Sequence, residues 1–423
     1  MPNLAEKLQQ LTPQQQTLLQ LVAESATQLG FSAYLVGGIV RDLLLGHPGS
    51  DLDIVVTGNA IKLAHQLVSA HGGEAVTHKA FGTATWQPAN AATIDLITAR
   101  HETYAHPAAL PTVTPGSLAD DLARRDFSIN TLAVSLAPGD FGKLHDPSNG
   151  QDDIQAGIIR ALHPQSYIDD PTRIFRAVRY EQRYNFPIAP ADLELIQPAR
   201  AYIHQLSAER LRHELDMILA EPRAPAMLER LWQLGIFDFV VDVLPWDAGI
   251  RSRLDSALRQ LPSPQWGLLP PEAGLPFQRD LLYALWLTPL SIPAIEKVHK
   301  RLNFPLAILN TLRAGSSLLA ESPPPTGIKP SAWVERLEHV PPLAIYTVSV
   351  LSPNHAGPLW QYATQWRHMH IATTGDTLKA LGLRPGPAYQ KILKHLRAAL
   401  LDGEIYTREE EKALLQSLIP RYT

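Results

Sequence analysis

Two aspartates, Asp51 and Asp53, stand two residues apart in Ser50-Asp-Leu-Asp-Ile-Val-Val56, a run whose other strand residues are apolar. A strand turns successive side chains to opposite faces, so both carboxylates share one face, as a metal pair requires. Just upstream runs Tyr34-Leu-Val-Gly-Gly-Ile-Val-Arg-Asp-Leu-Leu-Leu-Gly46. Leu35 and Val36 close a strand, and Gly37-Gly38 forms a turn where backbone can come close to a ligand. A short helix through Leu43–Leu45 follows, ended by Gly46. Strand, turn, helix and strand in so short a span commit this region to an α/β layer.

The rest of the chain divides around that layer. Apolar spacing over Leu4–Leu29 predicts one opening helix, stopped by Gly30. Strands are expected at Ala33–Val36, Asp53–Val56, Thr83–Gln87 and Thr93–Thr98, with a helix over Ala60–Ala70. After Gly150 helical periodicity takes over. The expected fold is therefore an α/β head of mixed sheet and helices followed by an all-helical remainder. Glu321-Ser-Pro-Pro-Pro-Thr-Gly-Ile-Lys-Pro330 reads as a linker or extended loop.

Composition narrows the chemistry. The chain has 423 residues, enough for several domains, and no cysteine, which removes disulfides and thiolate metal sites. Its histidines are scattered, without zinc-ligand spacing. A net charge of -4 argues against wholesale electrostatic binding of a polyanion, so any such partner needs a local basic surface. No apolar run reaches membrane-spanning length, and the start carries no signal core. The expected location is cytoplasmic, with no membrane partner. Nothing in the sequence fixes an oligomeric state.

A third acid, Asp95, lies in the apolar strand Thr93-Ile-Asp-Leu-Ile-Thr98 and is expected to be interior. An ionised acid there needs a partner or a metal. Asp51, Asp53 and Asp95 on adjacent strands can hold two Mg²⁺ ions through oxygen ligands, an arrangement suited to phosphoryl and nucleotidyl transfer. The plainer reading is that Asp51 caps a turn and the other two are ordinary acids. Gly37-Gly38 likewise either shapes a connection only, or presents backbone N–H groups and a helix start to a phosphate, with Arg41 as a charged donor.

Together these residues resemble the class II tRNA nucleotidyltransferases, the CCA-adding enzymes with their A-adding, CC-adding and poly(A) polymerase relatives. Further matches follow in the family's order: Asp121-Leu-Ala-Arg-Arg-Asp-Phe-Ser-Ile-Asn130; Asp146-Pro with Gly150, Asp153, Gly157 and Arg160; Asp169-Asp-Pro-Thr-Arg-Ile-Phe-Arg-Ala-Val-Arg179; and Ser207-Ala-Glu-Arg-Leu-Arg-His-Glu214. The resemblance implies a catalytic head over 1–150, a nucleobase-selecting neck over 151–225, a body over 226–330 and a tRNA-binding tail over 331–423. It implies addition of C, C and A to the tRNA 3′ end without a nucleic-acid template, from CTP and ATP with Mg²⁺. Asp51, Asp53 and Asp95 match its catalytic acids, the first two as metal ligands. Arg125, Asp126 and Asn130 match sugar and triphosphate contacts.

Asp170 and Arg173 can be read from their chemistry alone. Cytosine and adenine each offer an exocyclic amino donor beside a ring-nitrogen acceptor; uracil and guanine offer the reverse. A carboxylate beside a guanidinium complements C and A and opposes U and G. Spacing of three places both on one helix face. Asp170-Pro171 is also a good helix start. The family usually has Glu-Asp here, whereas this chain has Asp169-Asp170, a variant that resembles A-adding relatives, so A-only addition stays open. Arg176 and Arg179 either face triphosphate or tRNA, or pair with Glu181 and other acids. Ile174, Ala177 and Val178 form the buried stripe of that helix.

His101–Pro115 reads as a long loop, and the resemblance implies a flexible loop there that A addition requires. Beyond Pro222 no catalytic constellation is visible. Trp232, Phe237, Phe239 and Trp246 read as core. The turn before Tyr389, with Arg384, Lys391 and Lys394, either takes a tRNA phosphate or is a plain loop-to-helix transition. The leading expectation is CCA addition. Its rivals are an A-adding enzyme, a poly(A) polymerase and, from another class, a non-catalytic tRNA-binding protein.

Overall fold

The computed structural model describes residues 4–422 apart from 48, 50, 90, 269–274 and 322–327. Ser50 of the acidic run and most of the linker expected at Glu321–Pro330 lie outside the described residues. The chain divides into two compact units, Met1–Glu214 with Arg230–Val240, and Leu215–Glu229 with Val241–Thr423.

The first unit opens with two helices, α1 (Ala5–Leu8) and α2 (Pro13–Gln28), where one was expected. The break is local chemistry. Pro13 can start a helix but not continue one. Thr12 accepts the Gln15 N–H at 3.2 Å, and Gln15 Oε1 accepts the Thr12 N–H at 3.0 Å, a reciprocal cap.

A seven-stranded sheet follows, in the order β3-β4-β5-β2-β1-β8-β9. Its strands are β1 (Ala33–Val36), β2 (Leu52–Val56), β3 (Glu74–His78), β4 (Thr83–Gln87), β5 (Ile94–Thr98), β8 (Ala133–Ser135) and β9 (Leu144–His145). Only β2 and β5 run parallel. Two helices complete the layer, α3 (Gly38–Leu45) between β1 and β2, and α4 (Ala60–His71) between β2 and β3. Leu35, Ile54 and Leu96 of the sheet share a buried core with Leu63 and Leu67 of α4. By the period of two, Val36 and Val55 feed a smaller cluster with Leu122 and Ala133.

The segment expected as a loop over His101–Pro115 is instead an antiparallel ribbon of β6 (Arg100–Thr103) and β7 (Thr112–Pro115). Its alternation is polar on polar, so hydrophobic periodicity gives no sign of it. Helix α5 (Leu118–Ala123) then leads to a single 3₁₀ turn, Ser128–Asn130. That turn is propped by α6 (Gly150–Ala156). A Cβ at Gly150 would stand 2.2 Å from the Ser128 carbonyl oxygen, so only glycine lets the two backbones meet. Asp153 accepts the Ser128 hydroxyl at 2.5 Å and pairs with Arg160 at 3.1 Å. The helices that follow include α7 (Ser166–Asp169), α8 (Thr172–Tyr184), α9 (Pro190–Ala199) and α10 (Ala208–Leu219), and the unit also takes in the short helix Phe237–Val240. Ile174, Ala177 and Val178 are fully buried, as their spacing predicts.

The described part of the second unit is helical. One of its cores gathers Trp333, Leu337, Val348 and Leu359; another gathers Leu378, Ile392, Leu396 and Leu418. Among the aromatics expected as core, Phe237 is buried, while Trp232 is 49% exposed. On the helix Ala224–Gln233, Leu228 and Leu231 supply the buried face and Trp232 points away from it. Lys394 pairs with Glu335 at 2.5 Å, which engages one of the three cations for which a phosphate contact and a plain loop-to-helix transition were both open. No described helix is long and apolar enough to cross a membrane.

Candidate active site

The first unit holds a cavity of about 760 Å³, a size that suits a nucleotide. Asp51 and Asp53 line it, together with Gly37 and Gly38 of the glycine turn and residues of α8. Asp53 stands in register with Asp95 across the parallel β2–β5 pair. Asp95 is not interior, contrary to expectation: it is exposed, because Ile94 and Leu96 take the buried face and leave it on the open one. Its Oδ1 accepts the Thr85 hydroxyl at 2.6 Å. Burial pushes the Asp53 carboxyl up from its ordinary range, the nearby charges of Asp95 and Asp51 push it further, and Arg125 opposes them. Neighbouring carboxylates that repel one another, all with oxygen donors, fit a hard divalent cation at Asp51 and Asp53. Among the described residues no three acid or histidine side chains are arranged around one ion.

The turn explains its glycines. Gly37 has φ +71°, and a Cβ there would stand 2.8 Å from Arg125 Nη1. A Cβ on Gly38 would lie 3.4 Å from Arg41 Nη2. The missing side chains thus let two guanidinium groups lie against the turn. Arg125 also donates to Asp121 at 3.0 Å, and its Nε is buried without a partner. Arg41 lines the cavity but is only 4% exposed, and it acts mainly as a brace. It donates from Nε to Asp42 at 2.9 Å and from Nη1 to Asn130 Oδ1 at 2.5 Å, and its guanidinium lies 4.5 Å from the centre of the Tyr184 ring.

Asn130 continues the chain of contacts. Its amide donates to Asp126 Oδ1 at 3.0 Å, and Asp126 Oδ2 accepts Arg176 Nε at 2.8 Å. Burial alone would raise the Asp126 carboxyl; Arg176 and the Asn130 bond outweigh it and hold the group down to about 2. Arg176 is thus paired with Asp126, and Glu181 pairs with Arg230. Arg179 does not line the cavity; it is buried, 3.7 Å from Glu214, with Nε and Nη1 lacking hydrogen-bond partners.

Asp170 and Arg173 both line the cavity; the Arg173 N–H donates to the Asp170 carbonyl at 3.0 Å, and their side chains are held by other partners. Arg173 donates to the Ser166 hydroxyl at 2.5 Å and to the Arg124 carbonyl at 2.9 Å. Asp170 Oδ1 accepts the Thr172 N–H and hydroxyl, at 3.0 and 2.6 Å, and Arg210 Nη2 at 2.7 Å. The start of α8 is thus held by Asp170 two residues ahead of Thr172, while Oδ2 takes none of these bonds. Asp169 does not line the cavity or orient Arg173; its carbonyl accepts the Ala108 N–H at the ribbon tip, at 3.1 Å.

Sequence reasoning missed one wall. Arg100, Glu102 and Tyr104 of the ribbon line the cavity, together with Arg124. Glu102 accepts from Arg100 at 3.0 Å, Arg124 at 3.1 Å and Tyr104 at 3.2 Å. Burial and Glu102 push the Tyr104 phenol up to about 12, Arg173 opposing, so it stays a neutral donor. Arg100 and Glu102 at alternate positions were the available signal. Arg210 lay within the Ser207–Glu214 match but had no role there, its partners Asp170 and Ala108 being 40 and 102 positions away; Ser166, seven positions before Arg173, carried no signal of its own.

Residues 33–160 match the family described as poly A polymerase head domain, and residues 185–245 match the probable RNA and SrmB-binding site of polymerase A. An A-adding tRNA nucleotidyltransferase of Halalkalibacterium halodurans is 33% identical over 414 residues, 95% of this chain and 92% of that protein. A CC-adding tRNA nucleotidyltransferase of Deinococcus radiodurans is 31% identical over 413 residues, 97% of this chain and 95% of that protein. A structure of the Thermotoga maritima CCA-adding enzyme complexed with tRNA superposes with a TM-score of 0.74 at 27% identity, covering 99% of each chain.

Proposed function

The chain belongs to the class II tRNA nucleotidyltransferase family, and from that premise we propose that it transfers AMP from ATP to the 3′ end of tRNA ending in CC. The observation that carries selection of A and C over G and U is Asp170 beside Arg173 in the cavity wall, with Asp170 Oδ2 outside the bonds that fix Oδ1. Oδ2 accepts the adenine amino group and the Arg173 guanidinium donates to the ring nitrogen beside it. Guanine would set a donor against the guanidinium and an acceptor against the carboxylate, at a cost of about 1–3 kcal/mol for each unmet group.

The reaction forms a bond between the tRNA 3′-oxygen and the α-phosphorus and breaks the bond to pyrophosphate. The Gly37-Gly38 turn and Arg125 receive the triphosphate. Asp51 and Asp53 would hold Mg²⁺, which when bound polarises the phosphate and neutralises the leaving group. Asp126, Asn130 and Arg176 keep the turn and α8 in one geometry around the nucleotide.

The relative from H. halodurans supports A addition at 33% identity, as does the Asp169-Asp170 variant. Full addition of C, C and A is the second reading, favoured by an edge that complements cytosine as well as adenine and by the likeness to the T. maritima enzyme. The test offers tRNAs ending at the discriminator base, at C and at CC, each with CTP, ATP or both, and reads product lengths. One A on the CC-ended tRNA and no CTP use establishes A addition. Extension of the discriminator-ended tRNA by CTP replaces it with CCA addition, and a long ATP ladder points to poly(A) synthesis.

A further inference from the structure

Arg210 lies on α10, outside the residues that line the cavity, yet two features of the site meet in its guanidinium. Nη2 donates to Asp170 Oδ1 at 2.7 Å, and Nη1 donates to the Ala108 carbonyl at 2.8 Å. Ala108 is the ribbon's buried tip residue, held at φ +60°, a left-handed conformation that a β-carbon disfavours. The same residue's N–H is bound by the Asp169 carbonyl at 3.1 Å. The tip is therefore gripped on one side by the turn that carries Asp170 and on the other by the cation that holds Asp170.

The geometry at Asp170 gives this grip a consequence. Oδ1 receives three bonds, from the Thr172 N–H, the Thr172 hydroxyl and Arg210. The two Thr172 bonds come from the adjoining helix start and would survive a modest rotation of the carboxylate. The Arg210 bond comes from a separate helix and fixes the direction in which Oδ2 points. The planar fork of arginine holds two acceptors at a fixed spacing, which the single nitrogen of an ammonium reproduces only in part.

We infer that Arg210 is a positioning residue that sets nucleobase selectivity without touching the nucleotide, by aiming Asp170 and tying the ribbon tip to it. The inference rests on the reading of Asp170 as the base-contacting carboxylate. Loss of the fork lets Asp170 turn and the Arg100–Tyr104 wall retreat, so discrimination falls more than turnover does.

The experiment measures kcat/KM for ATP and for GTP on CC-ended tRNA, for the wild type, Arg210→Ala and Arg210→Lys, and repeats Arg210→Ala in an Asp170→Asn background. The expected result is an ATP-to-GTP ratio about tenfold or more lower in Arg210→Ala, partly recovered in Arg210→Lys, and no further loss from Arg210→Ala once Asp170 is changed. Arg210→Lys keeps the charge and much of the bulk, so it reports even where the alanine variant folds poorly. A wild-type ratio in both variants, with only kcat reduced, overturns the inference and leaves the proposed function standing. A wild type with no preference for ATP overturns that function and the inference with it.

Discussion

Arg176 Nη2 lies 2.6 Å from Asp126 Oδ2, joining residues fifty positions apart from the two sides of the cavity. Asp126 sits among buried groups, the far side of its carboxylate being bound by the Phe127 N–H at 2.9 Å and by Asn130. One ion pair thus ties the segment after α5 to helix α8.

The pair gives stability a defined pH dependence. The Asp126 carboxyl falls from an ordinary 3.8 to about 2 in the folded chain. A depressed acid stabilises the fold above its unfolded pKa and loses that contribution as pH falls through the folded one. At neutral pH wild type should exceed Asp126→Asn by about 2 kcal/mol in denaturant unfolding. The gap should close between about pH 4 and about pH 2. A gap that stays constant across that window would mean that the ionised pair is not its source.

Asn130 links this pair to the glycine turn through Arg41. Asn130→Ala leaves the buried Arg41 Nη1 and Asp126 Oδ1 each one bond short. The expected loss is roughly 2–3 kcal/mol of stability, with a higher KM for ATP as the turn loosens. A destabilised variant whose KM equals that of wild type would separate Asn130 from the site.

Much of this site is legible from local pattern, and the remainder is not, for physical reasons. Gly37-Gly38 and Asp51-x-Asp53 announce themselves because turn and strand chemistry act over a few residues. The buried stripe of α8 follows from helical spacing. The ribbon went unread because Arg100-His-Glu-Thr103 has no apolar alternation. The strand β3, alternately exposed and half-buried, has no buried apolar face to reveal it. Asp95 was misplaced because an apolar strand with one buried face resembles one with two. Asp169 was the acid read as orienting Arg173; Ser166 and the Arg124 carbonyl, the latter 49 positions away, hold it instead.

Asp53 carries a cost that a cation should relieve. Burial and the charges of Asp95 and Asp51 raise its carboxyl. A raised acid weighs on the folded state above its folded pKa, and the burden disappears as pH falls into the ordinary carboxylate range. Asp53→Asn should therefore melt higher than wild type at neutral pH without metal, on the order of 2 °C, while losing activity. Mg²⁺ should raise the melting temperature of wild type and leave the variant unmoved. An equal Mg²⁺ shift in both would remove Asp53 from the metal site.

Gly37 and Gly46 offer a paired comparison. Both hold positive φ, but a Cβ at Gly37 meets Arg125 Nη1 at 2.8 Å, whereas one at Gly46 meets nothing within 4 Å. Alanine at either position should cost about 1–3 kcal/mol of strain. Only Gly37→Ala should also displace Arg125 and lower kcat/KM for ATP, by about tenfold or more. Equal kinetic effects in the two variants would reduce Gly37 to a backbone requirement.

Asp170→Asn tests the base-reading edge while leaving most of the packing in place. The amide keeps an oxygen for Thr172, since Oδ1 takes both local bonds. It turns an NH₂ donor toward the position where the adenine amino group would sit, so donor faces donor. Guanine presents a carbonyl acceptor there, which that amide can satisfy. Selectivity should therefore shift toward GTP through a lower kcat/KM for ATP, by roughly tenfold for one buried mismatch. Arg173 still opposes the guanine ring N–H, so full inversion is not expected from this change alone. Competition between ATP and GTP on CC-ended tRNA, read as the ratio of the two products, measures the shift. If Asp170→Asn lowers both rates equally, Asp170 serves only as a cap for α8 and the carboxylate does not read the base.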